Sequence, residues 1–255
     1  MKILYFTSTG NCLSVAKRFD AQLLSIPQMI HDNRYSFQDD DSIGIIYPVY
    51  NGGLPYIVKD FIRKCAIKAP YVFVIATYGN APVGTLHEME KALSVKGNHA
   101  DYYETLLMVD NYLPMFDVTD QVSRLEEKGT AENLERIVKE VSAHTRKSPV
   151  SNPGSNFVAS VLGTVMKKPV RKAALSYTVS DACIGCGTCV KVCPVGNVHQ
   201  SGKEKPTFGA DCERCYACVH NCPEKAIHLP EEKSGERFRN PEVSLREIIA
   251  ANSQN

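Results

Sequence analysis

The chain has 255 residues, 44% of them hydrophobic, enough for one large domain or two small ones with a buried core. Its net charge of +1 speaks against nucleic acid or an anionic membrane as the main partner. Ten cysteines follow a start, MKILYFTSTG, that reads as a buried strand rather than a signal peptide; this suggests metal before disulfide and a cytoplasmic setting. No stretch reaches the ~18 apolar residues of a membrane span, since the longest candidate, FVASVLGTVM at 157–166, is broken by Ser, Gly and Thr.

Up to about residue 145, short apolar runs alternate with longer amphipathic ones, the pattern of parallel strands joined by crossover helices. KILYF is the first strand and NCLSVAKRFDAQLL the first helix. Between them Thr7, Ser8, Thr9, Gly10, Asn11 and Cys12 form a hydroxyl-rich, lysine-free turn whose free backbone N–H groups suit one terminal phosphate. It matches neither G-x-x-x-x-G-K-[ST] nor G-x-G-x-x-G. The run SIGIIYPVY is the next strand, and NGG turns the chain into the helical spacing of LPYIVKDFIRKC. YVFVIATYGN is a buried strand, TLHEMEKALSVKG a helix closed by glycine, DYYETLLMVDNYLP the fifth strand, and Thr119 to Thr145 a last helix. Ligands of such a sheet collect at the carboxyl ends of its strands, so the loops that matter are 7–12, 47–53, 78–84 and 110–115. HEMEK at 87–91 fails as H-E-x-x-H because Lys91 stands where the second histidine belongs.

Residues 146–177 read as a linker, with 157–166 expected as a short helix docked between domains. The segment 178–229 carries the strongest signal: CIGCGTCVKVCP and CERCYACVHNCP are two copies of C-x2-C-x2-C-x3-C-P. In that pattern the fourth cysteine of each run serves the other cluster. Cys183, Cys186, Cys189 and Cys222 are then one [4Fe–4S] ligand set, and Cys193, Cys212, Cys215 and Cys218 the second. Zinc would need one set of four ligands, not two overlapping ones. His220 reads as a surface neighbour of a cluster, and Cys65 as a buried apolar residue. In the tail, 230–255, RNPEVSLREIIAAN reads as a capped helix with Pro241 in its first turn.

The segment 178–229 resembles a bacterial-type two-cluster ferredoxin, with every ligand position matched. ILYFTSTGNCLSVAKRF, with the alternating strands, resembles a flavodoxin over most of residues 1–145, except that Cys12 stands where flavodoxins carry Thr or Ser. The order of the parts and PVYNGGLP resemble the bacterial flavodoxin–ferredoxin fusion proteins. That resemblance implies a doubly wound, five-stranded α/β domain binding FMN, followed by a small α+β ferredoxin domain. It implies a phosphate in the turn 7–12, with the flavin ring between the loop of Pro48 and Tyr50 and that of Thr77, Tyr78 and Gly79. Tyr50 and Tyr78 would flank the ring, with Tyr47 as substitute. Asn51, Gly52 and Gly53 would allow a peptide to turn toward the flavin. The expected function is electron transfer between FMN and two clusters, with redox proteins as partners; the alternatives are a flavin-dependent reductase of a quinone or nitro-type acceptor, and a redox sensor.

Overall fold

The computed structural model describes residues 1–149 and 171–254; the helix expected at 157–166 lies outside them. The first part is built on a parallel sheet of β1 (Lys2–Tyr5), β2 (Gln22–Ser25), β4 (Ser42–Pro48), β6 (Tyr71–Tyr78) and β7 (Tyr102–Leu107), in the order β2-β1-β4-β6-β7. The three inner strands are apolar almost without interruption, as strands covered on both faces must be, and Ile3, Leu4, Ile43, Ile45, Ile46, Phe73, Val74 and Ile75 are buried. The one gap in β4, Gly44, lies under the Phe73 ring of the neighbouring strand: a Cβ there would stand 2.3 Å from Phe73 Cζ. Strand order reverses between β1 and β4, which opens a crevice beyond their carboxyl ends.

The connecting helices are α1 (Asn11–Ala16), α2 (Ile26–His31), α3 (Tyr56–Ile62), α4 (Thr85–Ser94), α5 (Val118–Ser123) and α6 (Thr130–Ser142). Two expectations need correction. The first helix stops at Ala16, and QLLS, expected to continue it, is edge strand β2, paired with β1 from Lys2↔Gln22 to Tyr5↔Ser25. Tertiary pairing overrides a helical spacing that three leucines and Phe19 had suggested. The last helix is split at Gly129, which adopts φ +57, so α5 and α6 are separate. Two short strands, β3 (Ser36–Gln38) and β5 (Ala66–Lys68), pair in a small parallel sheet of their own.

In the second part β8 (Thr178–Val179) pairs antiparallel with β11 (Ile227–His228), and β9 (Val198–His199) with β10 (Thr207–Phe208). Two four-residue helices, α7 (Thr188–Lys191) and α8 (Ala217–His220), pack on each other between them. The tail ends in α9 (Leu245–Asn252), which touches α2 of the first part and α7 of the second. Its cap is Ser244, in a capping box with Glu247; Pro241 stands before the helix rather than in its first turn. Among the described residues no helix is long and apolar enough to cross a membrane.

Candidate functional site

The crevice at the strand ends is a cavity of about 350 Å³, a size usual for small-molecule sites. It is lined by Thr7, Ser8, Thr9, Asn11 and Cys12 from the first turn, by Pro48, Tyr50, Asn51 and Gly52 from the second loop, and by Thr77, Tyr78 and Gly79 from the third. Twelve residues singled out in the sequence thus meet at one wall. Three others do not line it. Tyr47 is buried in the core, its hydroxyl donating to the Thr85 carbonyl at 3.2 Å. Gly10 and Gly53 stand behind the loops: a Cβ on Gly10 would meet Asn240 Cβ at 2.9 Å, and one on Gly53 would meet Glu88 Oε2 at 3.2 Å. Asn51 (φ +51) and Gly52 (φ +75) are the central pair of a two-residue hairpin turn closed by bonds between Tyr50 and Gly53, and the positive φ at both is the mark of type I′. Gly79 lies so close to Asp110 that a Cβ would overlap its Cα at 2.4 Å.

The turn at 7–12 is held from outside by residues far along the chain. Asn252 Nδ2 donates to the carbonyl of Thr7 at 2.9 Å, Asn221 Nδ2 to that of Ser8 at 3.1 Å, and the backbone N–H of Asn240 to that of Thr9 at 2.7 Å. Three consecutive carbonyls are thereby engaged on the side of the cluster part and the tail. Asn240 Nδ2 also bonds Asn11 Oδ1 and Ser14 Oγ, and Lys17 pairs with Glu247 at 2.9 Å. Tyr50 donates to Ser8 Oγ at 2.8 Å and Asn111 to Thr9 Oγ1 at 2.5 Å. Cys12 Sγ lies 3.1 Å from Thr77 Oγ1, and burial pushes its thiol up to about 12.

The cysteines surround two further cavities. One is lined by Cys183, Cys186, Cys189 and Cys222, the other by Cys193, Cys212, Cys215 and Cys218, the same division that the double motif implies. The backbone N–H groups of Asn197 and Ala226 reach Cys193 Sγ at 3.2 Å and Cys222 Sγ at 3.4 Å, equivalent bonds in the two copies. Such N–H···S bonds tune a cluster's potential.

His220 is not at the surface. It is buried, with Nε2–H donating to the Asn111 carbonyl at 2.8 Å and Nδ1 accepting from Phe238 N–H at 3.1 Å, and burial lowers its pKa to about 4. Glu213 is buried at the start of α3, where desolvation pushes its carboxyl up to about 7 against the pull of Arg171 and of the Tyr56 and Ile57 N–H groups. The contact between the parts goes further, because Arg214, Cys215 and Tyr216 line the crevice cavity as well. Cys215 is a wall of both that cavity and the second cysteine cavity. Arg214 and Tyr216 have φ +54 and +56, where the first copy carries Gly185 and Gly187 at +66 and +72. Left-handed backbone at a non-glycine residue costs on the order of 1 kcal/mol or more. The sequence carried a signal here, two bulky residues in place of two glycines, but none for the asparagines, whose bonds to the turn span more than 200 residues.

Comparison with known proteins concerns the cysteine-rich part. A family model for a 4Fe-4S dicluster domain matches residues 166–227. The 7Fe ferredoxin of Hydrogenibacillus schlegelii is 37% identical over 65 residues, 23% of this chain and 82% of that protein. The putative electron transport protein YsaA of Escherichia coli K12 is 32% identical over 69 residues, and this chain spans 44% of its length. Pyruvate synthase subunit PorD of Methanothermobacter marburgensis is 38% identical over 53 residues, 62% of that subunit. A ferredoxin domain at the C-terminus that binds [4Fe–4S] and transfers electrons thus follows a parallel five-stranded α/β unit, and by that domain the chain belongs to the 4Fe-4S dicluster ferredoxin family.

Proposed function

We propose that this protein passes electrons between an FMN in the crevice cavity and two [4Fe–4S] clusters, one held by Cys183, Cys186, Cys189 and Cys222 and the other by Cys193, Cys212, Cys215 and Cys218. The observation that carries the reading is Cys215, which belongs to the walls of the crevice and of the second cysteine cavity at once. Strand order supports the flavodoxin-like assignment of residues 1–145: counted within the main sheet alone it is 2-1-3-4-5, and ligands of that fold lie at the reversal point, where this cavity opens. The turn at 7–12 supports a phosphate, because the carbonyls of Thr7, Ser8 and Thr9 are engaged by the cluster part and the tail while its hydroxyls line the cavity; of its N–H groups, that of Gly10 is bonded to Thr7 Oγ1.

Bound FMN would supply a junction between one- and two-electron chemistry, and the clusters one-electron carriers. The chain's own part is to position and to insulate. Tyr50 and Tyr78 belong to the cavity wall, and Tyr50 is tied to the turn through Ser8. The central peptide of the Asn51–Gly52 turn makes neither closing bond of the hairpin, and both residues line the cavity. The equivalent N–H groups on Cys193 and Cys222 stabilise the thiolates.

Anaerobically prepared protein is expected to hold about eight iron and eight acid-labile sulfides per chain, by the double motif, with one FMN. The relative named a 7Fe ferredoxin makes the iron count a true test; a full set of four cysteines around each cavity supports eight. Bound zinc without labile sulfide would reject the clusters, and full clusters without flavin would reject the FMN half.

A further inference from the structure

We propose that Arg214, which belongs to the iron–sulfur part, is a flavin-binding residue: its guanidinium is the cation that the crevice cavity offers to the negative charge of reduced FMN. The inference rests on the FMN reading above. Among the residues lining the cavity, Arg214 has the one positively charged side chain and Asp110 the one carboxylate. The phosphate turn carries no cation, and what it offers an anion is hydroxyls and backbone N–H groups. FMN that takes two electrons from a low-potential donor, such as reduced iron–sulfur clusters, and one proton from water carries one negative charge on its ring. A fixed cation in a half-buried cavity favours that form over the neutral oxidised ring.

The local structure is built around this side chain. Arg214 occupies a left-handed position, φ +54, that the first cysteine run fills with Gly185. Its guanidinium lies 5.3 Å from the centre of the Tyr112 ring, and Nε donates to the Tyr216 hydroxyl at 2.9 Å. Tyr216 is itself left-handed, opposite Gly187 of the first run, and both tyrosines line the same cavity. Among the described residues the bond to Tyr216 engages one of the five N–H groups of the guanidinium, so the group is oriented with donors remaining for a ligand. Two residues thus hold a conformation suited to glycine where the cluster part faces the crevice, and their glycine counterparts Gly185 and Gly187 line no part of that crevice.

The test compares the wild type with Arg214→Gly and Arg214→Lys, each with full iron and sulfide. FMN and riboflavin are titrated in the oxidised state and in the dithionite-reduced state. Arg214→Gly installs the residue that the first run has at this position, so the cluster turn should survive. It is expected to bind oxidised FMN within about twofold of wild type and reduced FMN about tenfold more weakly, a fall of about 30 mV in the two-electron potential. Arg214→Lys should recover most of the loss. A variant that loses affinity for oxidised FMN but not for riboflavin would overturn the proposal in favour of a phosphate contact. Unchanged affinity in both redox states would overturn it outright. Wild-type protein with full clusters and no FMN would overturn the FMN reading and this inference with it. If Arg214→Gly loses iron, Tyr216→Phe carries the same test: it leaves the backbone alone and releases Nε, and should weaken reduced FMN relative to oxidised FMN, whereas unchanged affinities would overturn the proposal.

Discussion

At the scale of the residue, Cys12 shows what burial does to a suspicious thiol. It follows a turn suited to phosphate, where a helix start could lower its pKa, yet desolvation dominates and the thiol is pushed up to about 12. It therefore stays neutral through the physiological range and acts as a poor hydroxyl, sharing a hydrogen with Thr77 Oγ1. Cys12→Ser is expected to keep or tighten FMN binding by up to a few fold, because a hydroxyl is the stronger donor. Iodoacetamide should leave Cys12 of the native protein unlabelled up to about pH 9; rapid labelling near neutrality, read by mass spectrometry, would contradict a buried neutral thiol. Single residues were legible where their chemistry is local. The eight cysteines and the hydroxyls of the turn announced themselves by spacing. His220 did not, because its two partners, Asn111 and Phe238, are far away in sequence and convert an apparent surface histidine into a buried, doubly bonded one.

At the scale of the element, the turn at 7–12 depends on segments that come more than 200 residues later. Asn252, Asn221 and Asn240 hold the carbonyls of Thr7, Ser8 and Thr9 in succession. Asn252→Ala leaves a buried carbonyl without its partner, at a cost of about 1–3 kcal/mol. It should both lower stability in urea and weaken FMN by about tenfold, where a cost near the lower end of that range is read in binding; flavin fluorescence titration measures the latter, and an unchanged affinity would show that the turn is set without the tail. The tail helix has a pH dependence of its own. The Ser244 N–H and hydroxyl, with Lys17, hold the Glu247 carboxyl down to about 2, below its ordinary range. A depressed carboxylate contributes stability above its unfolded pKa and loses it as pH falls through the folded one. The stability difference between wild type and Glu247→Gln should accordingly be full above about pH 4.5 and vanish toward pH 2, as thermal melts across that range would show. Elements were legible where burial makes a run uniform, as in SIGIIYPVY and YVFVIATYGN. QLLS was hidden because its neighbours repeat at helical spacing and only pairing with β1 decides between strand and helix.

At the scale of the whole molecule, the parts are arranged in series. The crevice cavity shares Cys215 with the cavity of Cys193, Cys212 and Cys218, and the packed helices α7 and α8 set the first cysteine cavity beside the second. Exposure rises along that order: Cys215 is buried, whereas Cys186 is exposed and its neighbour Ile184 is 60% exposed. On the proposed reading, an external redox partner would then meet the cluster of Cys183, Cys186, Cys189 and Cys222, while the other cluster would face the flavin. The halves are fixed to each other as well, through Asn221 on Ser8, His220 on Asn111, and α9 on α2. Fixed geometry makes transfer between cofactors a property of one molecule. After rapid reduction of the clusters, flavin reduction followed by absorbance should therefore proceed at a rate constant unaffected by diluting the protein about tenfold, since an effective concentration set by a rigid contact does not change with bulk concentration. A rate proportional to protein concentration would mean that electrons pass between molecules and that the shared wall at Cys215 is no conduit. Asn221→Ala supplies the complementary measurement: it breaks the bond to the Ser8 carbonyl, and if contact between the halves sets the rate, internal transfer should slow while the clusters keep their iron and sulfide.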